Sequence, residues 1–397
     1  MSGFLLALWA ISAGLQMAFL AALWCCDLSR LGRDKTAPDA PEPRPAPLVS
    51  LIIPCAGRSG AMETALHSLL QQDYPSLAVL LVTHGRTDPA RQLALELAAQ
   101  YPHARHVEAR AAEGCGQKNR NMLDALAEAD PETAVYAFCD ANHLAKRDFV
   151  RCLAEPIIQG REKFCTGYRR TRPLCFAPAT VACHFLVWHL GLFQGLPWFT
   201  QPWGGAFAAE ARAFRELGVA ELWSRTVVDD VSLAGLLMRE RRRVNYCPGA
   251  MLDSPLEEMS ETRLNDWFFR QLFYPKFYTL SVWLLLGAAL AWFAATALAG
   301  LGLVIAWIAG AGPAFPFALL ALAHLASPFA LRGFLRRRIA PDCPPAVWRQ
   351  GVALAARTLA ACFCRTVFSR VLVWRGIRYH LASDGKVERV ERPDQES

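Results

Sequence analysis

The stretch Val135-Tyr-Ala-Phe-Cys-Asp140-Ala-Asn-His143 sets an acidic group at the end of a run of apolar, β-favouring residues. A buried strand of a parallel sheet has this pattern, and in open α/β sheets ligands gather just beyond the carboxyl ends of such strands. Asp140 is therefore a candidate to meet a phosphate-bound metal; the competing reading is an Asp that opens a turn or caps the next helix. Other polar sites fall where loops after strands should lie. Asp88 stands in Thr87-Asp88-Pro89, and Asp229-Asp230 opens the apolar run 231–238. Lys118 and Asn121 stand in Gly114-Cys-Gly-Gln-Lys-Asn-Arg-Asn121, where glycines let backbone approach closely and the ammonium can face phosphate. Each has a plainer reading too: Asp88 and Asp230 as helix caps, Lys118 as a solvated charge. The glycine spacing is neither a dinucleotide fingerprint nor a P-loop.

The elements that would position these groups alternate between strand and helix. Residues 48–53 and 77–82 read as strands, and 62–71, 89–100 and 117–129 as helices, the last leading into the strand that ends at Asp140. Such alternation implies right-handed crossovers and a doubly wound α/β sheet, and the segment 48–275 is long enough for one substantial core.

Composition places this domain at a membrane. With 53% hydrophobic and 19% charged residues, the chain is too apolar for one ordinary soluble domain and too mixed for a polytopic transporter. Residues 4–26 carry no charge and are followed by Arg30, Arg33 and Lys35, which predicts a transmembrane anchor over 1–28 with the next domain in the cytoplasm. A cleaved signal peptide would need a basic leader and a small-residue cleavage site, and neither is evident. A proline-rich linker over 29–47 reads as a stiff tether. Residues 279–332 read as two spans joined by a short uncharged turn, with the basic run 332–338 at their cytoplasmic end. The segment 346–374 mixes apolar residues with Arg349, Arg357, Arg365 and Arg370, which suits an amphipathic helix on an anionic surface or one packed on the α/β domain. The tail, 375–397, is expected to be partly disordered past Asp384. Residues 176–199 are apolar but interrupted by His184, His189 and Gln194, so they read as a helix at headgroup level or lining the site, or else as a buried core helix. The net charge of +7 crowds beside apolar segments, which favours a membrane surface over nucleic acid. Thirteen cysteines without paired CxxC spacing read as reduced packing residues.

The order of these motifs resembles the membrane-bound ceramide glucosyltransferases, within the inverting, nucleotide-sugar-dependent glycosyltransferases of family 2/21 type. The likeness runs over nearly the whole chain. It rests on Ser50-Leu-Ile-Ile-Pro54 with Gly57, Gln72-Asp-Tyr-Pro75, Thr87-Asp-Pro-Ala90 as a first Asp motif, Lys118 with Asn121, and Cys139-Asp140 as a second. Gly204-Gly205 precedes Asp229-Asp230, the third, and Trp374-Arg-Gly376 with Tyr379 resembles the closing signature. The resemblance implies a Rossmann-like nucleotide-sugar-binding domain of GT-A type in the cytoplasm, carried by N-terminal and C-terminal transmembrane helices, in the inner membrane if the source is bacterial. It also implies a UDP-sugar donor, a divalent metal (Mg2+ or Mn2+) on its diphosphate, and a lipid hydroxyl presented by the bilayer as acceptor. Asp88, Lys118, Asn121, Asp140 and Arg270 would contact the nucleotide sugar, Asp140 would also meet the metal, and Asp230 would be the general base. Partial desolvation of such a base raises its affinity for a proton. His184, Asp229 and Lys276 would stand near donor or acceptor.

The last motif departs from the family pattern of Arg or Gln, two residues, then Arg-Trp. Arg270-Gln-Leu-Phe273-Tyr274 has Phe where the second Arg is expected, and Lys276 is the nearest stand-in, although an ammonium does not match a guanidinium at a bidentate phosphate contact. Asn142 replaces the second carboxylate of the wider Asp-x-Asp motif. The implied reaction is transfer of a hexose, glucose from UDP-glucose favoured, to a lipid hydroxyl, ceramide ahead of hopanoid or diacylglycerol. A processive polysaccharide synthase would need more than two carboxyl-terminal spans to enclose a channel; a non-catalytic nucleotide-sugar-binding membrane protein would keep the fold without turnover.

Overall fold

A computed structural model describes residues 3–30, 46–196, 199–311 and 315–392; most of the proline-rich linker, the turn between the two spans expected over 279–332 and the final residues of the tail lie outside them. The chain opens with α1 (Gly3–Arg30) and then alternates: β1 (Val49–Pro54), α2 (Met62–Leu70), β2 (Leu77–His84), α3 (Pro89–Gln100), β3 (Ala104–Ala109), α4 (Gln117–Glu128), β4 (Val135–Cys139), α5 (Phe149–Ile158) and β5 (Phe164–Pro173). There follow α6 (Pro178–Gly191), β6 (Ala206–Glu210), the short α7 (Ala211–Glu216) and α8 (Val219–Trp223), α9 (Asp230–Arg239), β7 (Asn245–Leu256) and α10 (Glu261–Tyr278). The last third holds α11 (Leu280–Ile308), α12 (Phe315–Ile339), α13 (Pro345–Phe368) and three strands, β8 (Val371–Trp374), β9 (Ile377–Leu381) and β10 (Val387–Glu391).

The first seven strands form one sheet in the order β3-β2-β1-β4-β6-β5-β7. Its first half is parallel, with every residue of β1 and β4 but Pro54 buried, as the unbroken apolar runs require of strands covered on both faces. The second half departs from the doubly wound expectation: β6 runs antiparallel to both β4 and β5, while β5 and β7 are parallel. The sheet is therefore mixed, and its parallel half turns the loops after β1, β2 and β4 toward one edge.

Close backbone approach fixes where α4 lies. A Cβ on Gly116 would stand 2.2 Å from the carbonyl oxygen of Val227, and the Gly116 amide donates to Thr226 O at 3.0 Å. The amide of buried Asn119 donates to Thr226 O and Trp223 O, so the start of α4 is stitched to the segment just before Asp229. Gly116→Ala forces that seam open; overpacking of this kind costs about 1–3 kcal/mol. Thermal unfolding in detergent should show a lower midpoint, and an unchanged midpoint would mean that the seam yields freely.

Four helices, α1 up to Ala22, α11, α12 and α13, are long and apolar enough to cross a membrane. Three of them share a polar lock. Gln16, fully buried, donates to Thr296 Oγ1 at 3.0 Å and pairs through Oε1 with His324 Nε2 at 2.8 Å, while Trp9 Nε1 donates to Thr296 O. Within an apolar surround such bonds hold helices in register. The fourth, α13, packs on α6 and α10. Its Gly351 lies against Val181 of α6, and Thr358 Oγ1 donates to Asn265 of α10 at 3.1 Å. It also stops at Phe368, short of the expected 374.

One further expectation is corrected, and one of two open readings is decided. The tail through residue 392 is folded: β8, β9 and β10 form an antiparallel sheet whose Tyr379 is fully buried, and Val387 N donates to Arg225 O. Helix α6 is mainly a buried core helix, with nine buried residues between β5 and α13, and the apolar side chains left exposed, Leu190, Phe193 and Phe199, lie at and just beyond its end.

Candidate active site

Lys118, in the first turn of α4, carries the arrangement. Its Nζ lies 2.7 Å from Asp140 Oδ1, 3.1 Å from Asp229 Oδ2 and 3.4 Å from Gly204 O, so an ammonium with three protons meets three acceptors. Asp140 arrives from the end of β4, Asp229 from the residue before α9, and Gly204 from the turn before β6. Burial disfavours the charge on Lys118, but Asp140, Asp229 and Asp230 together outweigh it and hold its pKa above the ordinary lysine value. Burial likewise pushes Asp140 up, and Lys118 overrides it, so that carboxyl stays below its usual range. These groups are locked in their ionised forms.

Asp230 behaves in the opposite way. Burial first, then the charge of Asp229, raise its pKa to about 6, against the pull of Lys118 and two backbone amides. Gly204 N donates to its Oδ2 at 3.1 Å and Val231 N to its Oδ1 at 2.7 Å, which fixes the carboxylate plane at the start of α9. Asp140 and Asp230, both beside Lys118, thus have separate characters, the pattern expected where one group must exchange a proton and the other must not.

The Gly204-Gly205 pair is a steric requirement. A Cβ on Gly204 would lie 2.0 Å from Asp229 Oδ2, and one on Gly205 would lie 2.2 Å from the Trp203 ring. Trp203 in turn packs against His143 and Tyr168, with ring centroids 5.2 Å and 5.3 Å away. His143 is buried, bonded through Nδ1 to Ser254 Oγ at 2.8 Å, with Nε2 3.9 Å from Asp140 Oδ2; burial lowers its pKa to about 3, so it is neutral. His143 was quoted with Asp140 in the sequence but not singled out, and Trp203 gave no signal beyond the glycines after it.

The remaining candidates divide. Asp88 is the N-cap of α3, accepting from Ala90 N at 2.9 Å, and the same oxygen accepts from Gly57 N at 2.8 Å; it ties the loops after β1 and β2 together. Asn121 is buried and accepts from Gln117 Nε2 at 2.9 Å, which orients the residue beside Lys118. Arg270 lies on the stretch of α10 that bears Tyr274; that buried phenol is raised by desolvation and feels the charges of Arg270, Asp230, Asp229 and Lys118. Two residues bond to groups outside the Lys118 cluster, and one of them, His184, lines a cavity between β5, α6 and the end of α12. His184 is bonded through both ring nitrogens, to Thr171 Oγ1 at 2.7 Å and Ile339 O at 3.0 Å, and so joins α6 to the end of α12. Lys276 donates to the carbonyls of Thr366, Val367 and Ser369 and caps α13, so it does not replace the missing guanidinium.

Asp140 offers one oxygen to Lys118 and turns the other toward His143; among the described residues no cluster of three His, Cys, Asp or Glu is arranged to hold a metal by itself. That donor set suits a cation completed by ligand phosphates, since Mg2+ and its relatives commonly take one or two carboxylates plus phosphate oxygens and water.

Among solved structures the chain is similar to the mannosyltransferase PcManGT from Pyrobaculum calidifontis, solved with GDP-Man and Mn2+, at 19% identity over 91% of this chain and 99% of that one, with a TM-score of 0.53. Glucosyl-3-phosphoglycerate synthase from Mycobacterium tuberculosis matches at 17% identity over 62% of this chain and 79% of that one, with a TM-score of 0.33. No curated protein matches. The mixed α/β sheet is that of GT-A glycosyltransferases. The sequence model of glycosyl transferase family 21 matches residues 7–387, nearly the whole length, and the chain belongs to that family.

Proposed function

We propose that this glycosyltransferase moves a hexose, glucose from UDP-glucose favoured, onto a hydroxyl of a membrane lipid with inversion at the anomeric carbon, ceramide ahead of hopanoid or diacylglycerol. The observation that carries the reading is Asp230: a carboxylate with a raised pKa, held by two amides, in a cluster whose other acids are paired to Lys118. In the reaction the lipid oxygen forms a bond to the anomeric carbon as the bond from that carbon to the nucleotide diphosphate breaks. Asp230 takes the proton of the incoming hydroxyl, and the diphosphate leaves with both electrons of the broken bond. Lys118, Arg270 and Asp140 surround the leaving group in this reading, and Asp88, Asn121 and the loops they brace shape the nucleotide side. A divalent cation, Mg2+ or Mn2+, would be held by Asp140, and when bound it neutralises charge on the leaving diphosphate.

A cavity of about 600 Å³ supports a lipid acceptor. Its walls come from β5 and α6, with Tyr168 and Trp188, from Phe176 in the connection between them, and from the end of α12, with Arg338 and Ile339. The apolar helices and the basic last turn of α12, Arg336 to Arg338, support a bilayer beside this cavity and a catalytic domain on the cytoplasmic side. Trp188→Ala removes part of the apolar wall. The lipid KM should rise about tenfold, about 1.4 kcal/mol, with the donor KM unchanged; an unchanged lipid KM would place the acceptor elsewhere. The reading as a whole is tested by incubating the purified chain in vesicles with labelled UDP-sugars and a panel of lipids. Labelled glycolipid is expected, and absence of transfer to every lipid would count against it.

A further inference from the structure

Arg169 of β5 has no role in the reading above, and its surroundings are unusual. Its guanidinium lies 5.5 Å from the centroid of Trp203 and 5.7 Å from that of Trp267, between an indole of the active-site turn and one from α10. Both distances fall within the range in which a cation is attracted to an aromatic face. No described residue accepts a hydrogen bond from Arg169 or pairs with its charge, and its Nε is buried without a partner. Its neighbours on the same strand differ: Arg170 and Arg172 both pair with Asp253, at 3.1 Å and 2.7 Å. An aromatic clamp fixes the position of a guanidinium without using its N–H fork, and a buried donor left unpaired in the free protein is costly unless a ligand completes it.

Arg169 lies over the Trp203 ring, which packs against His143 beside Asp140, so it stands on the active-site side of β5, and it also lines the cavity. The cleft needs such a group. Asp140, Asp229 and Asp230 already outnumber Lys118, and a diphosphate would add further negative charge. On α10 the position that could carry a second arginine is the fully buried Phe273, and Lys276 is committed to capping α13.

We infer that Arg169, clamped between Trp203 and Trp267, is a phosphate-binding residue that receives the diphosphate of the nucleotide sugar together with Arg270. The assignment rests on the donor being a nucleotide diphosphate sugar, and it names the β5 guanidinium as the replacement for the arginine absent from α10. A planar fork suits this task, because it donates two parallel bonds to phosphate oxygens.

Calorimetric titration of the full chain in nanodiscs with UDP and with uridine, in the presence of Mn2+, tests it. Arg169→Ala should weaken UDP at least tenfold and leave uridine unchanged, and Arg169→Lys, which keeps charge and bulk, should recover part of the loss. In turnover assays the donor KM should rise while the lipid KM stays constant. Equal UDP affinity in Arg169→Lys, Arg169→Ala and the unmodified chain would overturn the inference while leaving the transferase reading intact. A change confined to the lipid KM would also overturn it and move the guanidinium to an acidic acceptor headgroup. Failure of the unmodified chain to bind UDP or UDP-sugars would remove the transferase reading, and this inference with it.

Discussion

Asp230→Asn should lower kcat for sugar transfer by about 10²-fold or more while leaving UDP-sugar binding nearly unchanged, because it removes a proton acceptor and no phosphate contact. The substitution keeps the size of the side chain and one of its two acceptor positions. One backbone bond is lost, from Gly204 or Val231, at a cost of about 1 kcal/mol. Against this stands a gain. A carboxyl whose pKa is raised on folding contributes stability below its unfolded value, 3.8, that is lost as pH rises through its folded value, about 6, so at neutral pH the ionised Asp230 works against the fold. The amide removes that burden, and the variant should remain folded. The same pKa sets the acid limb of the unmodified enzyme: activity should be level above about pH 6 and fall as pH drops through it, as Asp230 becomes protonated. Retained transfer in Asp230→Asn, or an acid limb that survives in its residual activity unchanged, would assign the proton to another group.

Lys118→Met should have the largest effect on the fold itself. Among the described residues the ammonium is the one cation bonded to both Asp140 and Asp229, whose side chains are 33% and 6% exposed, and methionine fills the space without its charge. Breaking a buried pair by removing one partner costs about 3–5 kcal/mol, because the remaining charge is left uncompensated. Here two carboxylates are left facing each other, with Asp230 close by. The sign with pH follows from Asp140, whose lowered pKa means that pairing stabilises the fold above the unfolded carboxylate range and that this contribution fades as pH falls through the folded value. The difference in melting temperature between Lys118→Met and the unmodified chain should therefore be greatest near neutral pH and shrink in acid. Nucleotide-sugar affinity should fall as well. Equal melting temperatures at neutral pH would show that the three acids do not depend on Lys118.

What the sequence disclosed follows physical locality. The apolar runs of β1 and β4 and the Asp88-Pro89 start of α3 are local signals, and the elements stand where those signals place them. The edge strand β3, Ala-Arg-His-Val-Glu-Ala, lacks a continuous apolar run because only part of it is covered, and it escaped notice. The antiparallel placement of β6 depends on which strands pair, and no residue in Ala206–Glu210 reports that. The tail contained its own hairpin signal in Asp384-Gly385, with Gly385 at φ 84°, but its acidic composition pointed to disorder. Asp88, Lys118, Asp140, Asp229 and Asp230 could be picked out as polar groups at strand ends and helix starts. The pairing of Lys118 with Asp229, and the raised pKa of Asp230, arise only when the start of α4 meets the segment before α9 across the Gly116 seam. Lys276 and Arg169 show the limit: Lys276 serves carbonyls 90 to 93 residues away, and Arg169 is distinguished from Arg170 and Arg172 only by the two indoles that enclose it.

The central claim is that one activated carboxylate, at a bilayer-facing cleft, lets a lipid hydroxyl displace a nucleotide diphosphate from a sugar. Mass spectrometry and anomeric analysis of the lipids of cells that lack glycolipids, expressing either the intact chain or Asp230→Asn, address it most directly. The account predicts a lipid enlarged by a single hexose in β linkage from an α-linked donor, present with the intact chain and missing with the variant. An α-linked product, a polymer, or the same glycolipid from both chains would contradict it.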